Sequence, residues 1–258
     1  MIEYERRGSG RPLMMIHGLG GNRRSFDTIA EALSRQRELV LVDLPGHGAS
    51  PAEADSGTFL GLADSVERFV ADQRLVGVDM VGTSMGARLV LEMARRGMAG
   101  NVVALDPGGF WRGWERTFFE VTIGASVRLL RALRPALPAL CRNPASRTAL
   151  LAQLSARPWA LDGKAVATEL KSYIHTPTFN SLVRDLARGP EQRGPAAAST
   201  KRVIIGWGRH DRLCLARQAA RAGAAFPSAT LHWFEHSGHF PMWDEPEETV
   251  AVILEATR

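Results

Sequence analysis

Apolar and polar positions along the chain follow two alternating rhythms. Short, continuously apolar runs occur at residues 13–16, 38–44 (centred on Leu39, Val40, Leu41 and Val42), 76–81, 101–105, 201–207 and 230–234. Runs of this length without polar alternation predict strands buried on both faces of a sheet. Between them the spacing changes to three and four. Phe26, Ile29, Ala30 and Leu33 predict a helix over 24–35, and Phe59, Leu62, Val66, Phe69 and Val70 predict one over 58–71 with Thr58 as its cap. Residues 87–96, 215–226 and 246–257 read as further helices, and 4–7 as a strand joined to 13–16 by a Gly-Ser-Gly-Arg-Pro turn. Strand and helix in alternation predict a mostly parallel, doubly wound sheet with helices on both faces.

The alternation stops between Phe110 and about Pro195. That span offers no strand, whereas Ile123, Val127, Leu130, Leu133 and Leu137 recur at helical spacing, with Arg128, Arg131 and Arg134 on the opposite side. Pro135, Pro138, Pro144 and Pro158 cut the span into short helices, and residues 189–195 read as the linker back. The expected organisation is one core formed by residues 1–109 and 191–258, interrupted by a helical cap over 110–190.

Composition narrows the class. At 258 residues, 45% hydrophobic and 23% charged, the chain has the make-up of one globular α/β domain carrying an insertion. Cys141 and Cys214 are too few and too far apart for a disulfide framework. The first residues lack the apolar core of a signal peptide and no apolar stretch reaches bilayer length, so a cytoplasmic protein without a membrane partner is expected. The net charge of +5 is concentrated in the middle, where residues 110–188 hold twelve Arg or Lys against five Asp or Glu. Without an interleaved aromatic stripe or a nucleic-acid motif, this reads as solvated helix faces, and no nucleic-acid partner is expected.

Chemistry enters at Gly82-Thr83-Ser84-Met85-Gly86. This is a G-x-S-x-G turn between an apolar strand and a helix, which lifts a serine onto a strained corner, and glycine is needed where flanking side chains would strike neighbouring backbone. Helix entry directly after Ser84 aims free amides, including that of Met85, at the space above the hydroxyl. A serine hydroxyl needs a base, and the base an acid. In a doubly wound sheet, groups at the carboxyl ends of strands meet at one edge. Those ends carry Ser84, Asp106, Asp211 and His239, and Ser84, Asp211, His239 occur in the chain order this architecture uses. Asp106 is the alternative acid. His236, His17 and His47 read as structural, and none of the seven histidines has metal-ligand spacing, so neither metal nor cofactor is expected.

The segments His17-Gly18-Leu19-Gly20, residues 43–50 (Asp-Leu-Pro-Gly-His-Gly-Ala-Ser), the serine turn, Gly208-Arg209-His210-Asp211 and residues 238–246 together resemble the α/β-hydrolase superfamily over nearly the whole chain. The resemblance implies the α/β-hydrolase fold, a helical cap inserted after the sixth strand, and a second oxyanion amide from Leu19 beside that of Met85. It also implies a capped serine esterase: hydrolysis of a small-to-medium, fairly apolar carboxylic ester through an acyl-enzyme on Ser84. Phe110, Trp111, Trp114, Phe118, Phe119, Trp159, Tyr173 and Phe179 make the insertion aromatic, which suits an apolar small-molecule substrate or simply docks the insertion on the sheet. Two alternatives stay open: hydrolysis of a carbon–carbon bond in a ring-cleavage dienoate, although Phe240 stands where such relatives usually carry tryptophan, and a ligand receptor that retains the triad. Serine at the turn excludes the alkyl-enzyme ester chemistry of relatives with aspartate there.

Overall fold

The computed structural model describes residues 1–258. Seven strands, β1 (Glu3–Arg7), β2 (Pro12–Ile16), β3 (Glu38–Asp43), β4 (Val78–Thr83), β5 (Ala99–Leu105), β6 (Val203–Gly208) and β7 (Thr230–Phe234), form one sheet in the order β1-β3-β2-β4-β5-β6-β7. Only β1 runs antiparallel, against β3, and every other neighbouring pair is parallel. The exchange of β2 and β3 in the order places a topological switch beside β4, where doubly wound sheets place their crevice.

Continuous apolar runs follow from this arrangement, because successive residues of a strand serve opposite layers. In β2, Leu13 and Met15 enter one core cluster and Met14 and Ile16 the other. The smaller layer packs α1 (Asp27–Ser34) and the closing helices α10 (Pro241–Asp244) and α11 (Pro246–Ala256) through Ile29, Leu33 and Ile253. The larger packs α2 (Phe59–Asp72), α3 (Met85–Arg95) and α9 (Gln218–Ala225) through Leu62, Val66, Leu89 and Ala219. Thr58 caps α2 by accepting the Gly61 amide, as its position predicts.

Between β5 and β6 the chain leaves the sheet and forms α4 (Trp114–Ala132), α5 (Leu137–Arg142), α6 (Pro144–Leu150), α7 (Gly163–His175) and α8 (Phe179–Arg188), without a strand. The family's count places this insertion after the sixth strand; five strands precede it here, since the sheet has seven in all. Prolines divide the insertion, but they open elements more often than they end them. Pro138 and Pro144 sit in the first turns of α5 and α6, where a missing amide costs nothing. The insertion has no separate core: Phe119, Leu130, Leu170 and Leu182 join the same cluster as α2 and α3. Arg128 on α4 and Arg134 just beyond it are exposed, and Arg131 is half-buried.

Candidate active site

Ser84 lies between β4 and α3 with φ +55°, a left-handed conformation in a residue other than glycine. The strain is enforced by packing. A Cβ on Gly86 would stand 2.1 Å from the Ile16 carbonyl oxygen, and one on Gly82 2.2 Å from that of Gly86, so both glycines are dictated by backbone contact. Ser84 is the N-cap of α3, and Met85 opens the helix with its amide free of any intrahelical acceptor.

His239 and Asp211 reach Ser84 from the loops after β7 and β6. His239 Nε2 is 2.8 Å from Ser84 Oγ, and its Nδ1 is 2.8 Å from Asp211 Oδ2. The other carboxylate oxygen of Asp211 accepts the amides of Leu213 (2.7 Å) and Cys214 (2.9 Å). Those bonds lock the carboxylate plane, and an aspartate two and three residues before free amides is the local signal for them. The histidine is fully buried and the aspartate nearly so. The three residues expected to meet are therefore joined by two short hydrogen bonds, although 155 positions separate Ser84 from His239.

Asp106, the alternative acid, makes no hydrogen bond with His239, whose Nδ1 is taken by Asp211. It ends β5 at φ +48°, accepts the Gly208 amide at 2.8 Å through Oδ1, and buries Oδ2 without a donor. Burial and the adjacent charge of Asp211 push its carboxyl well above the usual carboxylate range. His236 lies outside the site, on the surface, its amide donating to Glu245.

Leu19, expected to supply an amide, lines the same cavity as Met85, from the glycine loop. Its orientation is set by a neighbour, because the amide of Leu19 and the carbonyl of Gly18 belong to one planar peptide and point in opposite directions. The Gly18 carbonyl accepts from His17 Nδ1 at 2.7 Å and from the Gly21 amide at 3.1 Å. His17 Nε2 accepts the Leu44 amide at 3.0 Å. The ring must therefore be neutral with its proton on Nδ1, and burial lowers its pKa to about 4. His17, read from sequence as a structural loop residue, thus aims the peptide that carries Leu19.

A cavity of about 380 Å³ opens above Ser84, and 20 of its 26 lining residues are hydrophobic. Both the sheet edge (Leu19, Met85, Leu213) and the insertion contribute. The eight aromatic residues of the insertion divide evenly. Trp111, Phe119, Tyr173 and Phe179 line the cavity, whereas Phe110, Trp114, Phe118 and Trp159 do not, and Trp114 and Trp159 are exposed. No helix is long and apolar enough to cross a membrane.

A doubly wound sheet with a strained serine at its switch point, hydrogen-bonded to a histidine that is itself bonded to an aspartate, both from later strand ends, defines a hydrolase of the α/β class. The chain belongs to the alpha/beta hydrolase family, whose model matches residues 13–252. It is 28% identical over 258 residues to the dihydrolipoyllysine-residue acetyltransferase component of the acetoin cleaving system of Cupriavidus necator, covering 98% of this chain. The chain spans 65% of that relative's length. It is 26% identical to the pimeloyl-[acyl-carrier protein] methyl ester esterase of Nitrosomonas europaea, with 98% of each chain covered. Its fold is also that of a thermophilic esterase from Thermogutta terrifontis, at a TM-score of 0.76 and 17% identity over 98% of this chain and 92% of the other.

Proposed function

We propose that the chain hydrolyses small-to-medium, fairly apolar carboxylic esters through an acyl-enzyme on Ser84. The observation that carries this reading is the unbroken line from Asp211 through His239 to the Ser84 hydroxyl, opening into an apolar cavity. As Ser84 Oγ bonds to the ester carbon, its proton passes to His239 Nε2, and Asp211 stabilises the imidazolium from the far side. The carbonyl oxygen takes the negative charge between the amides of Met85 and Leu19. On collapse of this intermediate, the carbon–oxygen bond to the leaving alcohol breaks and His239 returns the proton to it. A water then gives a proton to the same nitrogen as its oxygen bonds to the acyl carbon, and on collapse the bond from that carbon to Ser84 Oγ breaks, His239 returns the proton to Oγ and the acid leaves.

In this reading the helical segment 110–190 acts as the cap and sets substrate choice. Trp111, Phe119, Tyr173 and Phe179 offer rings and no charge to the bound group, which favours an uncharged, hydrophobic acyl or alkyl portion. The ester named for the Nitrosomonas europaea relative is in keeping with such chemistry.

A panel of p-nitrophenyl esters, compared between wild type and Ser84→Ala, tests the proposal. Wild type should turn over many times per molecule and bind a fluorophosphonate covalently at residue 84, and the variant should lose at least about 1,000-fold in kcat. No hydrolysis by wild type, together with no labelling, would refute ester hydrolysis. Labelling without turnover would favour the receptor alternative.

A further inference from the structure

Glu169 is a buried carboxyl of the inserted helix α7, and the chemistry above makes no use of it. It reaches the core domain at one point. Ser25 Oγ donates to Glu169 Oε1 at 2.8 Å, and the same hydroxyl accepts the Asn22 amide at 3.1 Å. A hydroxyl has one proton, so giving it to Glu169 leaves its lone pairs turned toward Asn22. Three residues along α7, Ser172 Oγ donates to the Gly20 carbonyl at 2.7 Å, and Tyr173 lies against the Glu169 carboxyl with its ring over Gly20. On its other side the loop is held by Asp43, which accepts the Arg23 amide at 2.7 Å. The glycine loop 18–22 is thus clamped between the sheet edge and the insertion.

We propose that Glu169 is a positioning residue for the Leu19 amide: by fixing Ser25 and, with Ser172, the glycine loop, it makes the second oxyanion donor depend on the docked insertion. This rests on the assignment of Leu19 as an oxyanion donor. The physical reason is a shortage of internal restraint. The loop Gly18-Leu19-Gly20-Gly21 holds three glycines, which lose more conformational freedom on ordering than any other residue. His17 fixes one peptide of it from below. The next two are held within the loop by the Gly21 amide on the Gly18 carbonyl, and from the insertion by the hydroxyls of Ser172 and Thr176 on the Gly20 carbonyl and by the Glu169–Ser25–Asn22 chain. A misplacement of about 1 Å at a reacting group costs on the order of 100-fold in rate.

Two readouts decide the matter, each on wild type, Glu169→Ala, Glu169→Gln and Ser25→Ala. The first is amide hydrogen exchange over residues 18–25, which needs no substrate. Glu169→Ala and Ser25→Ala should exchange there roughly tenfold faster than wild type while the strands stay protected, and Glu169→Gln, whose amide oxygen still accepts from Ser25, should restore protection. Unchanged exchange in both the Ala variants would overturn the proposal, as would a loss that Glu169→Gln fails to repair. The second is the kinetic split on an ester turned over by wild type. Glu169→Ala should lower kcat roughly 10- to 100-fold with KM within about twofold, again repaired by Glu169→Gln. A matching rise in KM, or full kcat, would count against it. Failure of wild type to hydrolyse any ester would sink the esterase assignment alone, since hydrogen exchange still reports on the clamp.

Discussion

His17 and His47 pack their rings 5.1 Å apart beneath the serine turn, and both are buried. Burial lowers the first to a pKa of about 4 and the second, with the charge of His17 adding to the effect, to about 3. Both stay neutral in the fold while an unfolded histidine titrates near 6.5. The stability each confers is therefore complete above pH 6.5 and is lost as pH falls from there toward the folded values. Glu169 works in the opposite sense, because burial raises it to about 7 and its share is lost as pH rises from about 4.5 through that value. A difference between variants isolates the histidine. Urea unfolding of wild type and His47→Phe at pH 7 and pH 4.5 should show wild type losing about 2 kcal/mol more across that interval; equal losses would show that residue 47 does not bind a proton on unfolding. Residues of this kind were half-legible in the sequence. Ser84, Asp211 and His239 could be named because each stands at a strand end in a recognisable turn, and chemistry requires all three residue types. The orienting role of His17 could not, because it depends on which nitrogen meets Gly18 and which meets Leu44. The bond from Ser25 to Glu169 joins residues 144 positions apart and leaves no pattern in either neighbourhood.

At the scale of elements, the two edges of the sheet carry different burdens. The carboxyl ends of β4, β6 and β7 feed the serine site, while the opposite ends hold a buried ionic cluster. Arg37 pairs with Asp79 at 2.6 Å, Asp79 also accepts from Arg11 and from the amide and side chain of Asn101, and Arg37 reaches Thr257 just beyond α11. Removing one partner of such a pair leaves an uncompensated buried charge. Asp79→Ala should lower stability by about 3–5 kcal/mol in denaturant unfolding, yet leave kcat and KM on an accepted ester unchanged where the protein remains folded. A kinetic loss as large as the stability loss would mean that the two edges are coupled. Element positions were the most legible feature of this chain: apolar runs located six of the seven strands to within a few residues, since strands inside a covered sheet permit few polar side chains, and polar β1 was read from its place before the turn. The insertion was legible only as helical. Helix α7 has a local start signal, Asp162 accepting the Ala165 amide, whereas α8 and the short α10 begin without any side-chain cap bond to mark them.

For the whole molecule, the cavity is bounded by the sheet edge on one side and by α4, α7 and α8 on the other, so its size is a property of their docking. Leu130 of α4 is 6% exposed and faces the cavity. Leu130→Trp should shorten the available space, reducing kcat/KM for the longest accepted ester by roughly tenfold or more while the shortest changes less than about threefold. A uniform drop across chain lengths would show that this wall does not meet the substrate.

The seam between β5 and β6 has a further consequence. These strands are neighbours, pairing Val102 with Val203 through Leu105 with Gly206, although the whole helical insertion lies between them in the chain. Ser84 belongs to the polypeptide before that excursion, Asp211 and His239 to the polypeptide after it. A protease nick in the excursion would leave two fragments, each holding only part of the proposed triad, that share a parallel strand pairing as their meeting line. Activity in such a nicked protein would be a report on whether the halves still recognise each other.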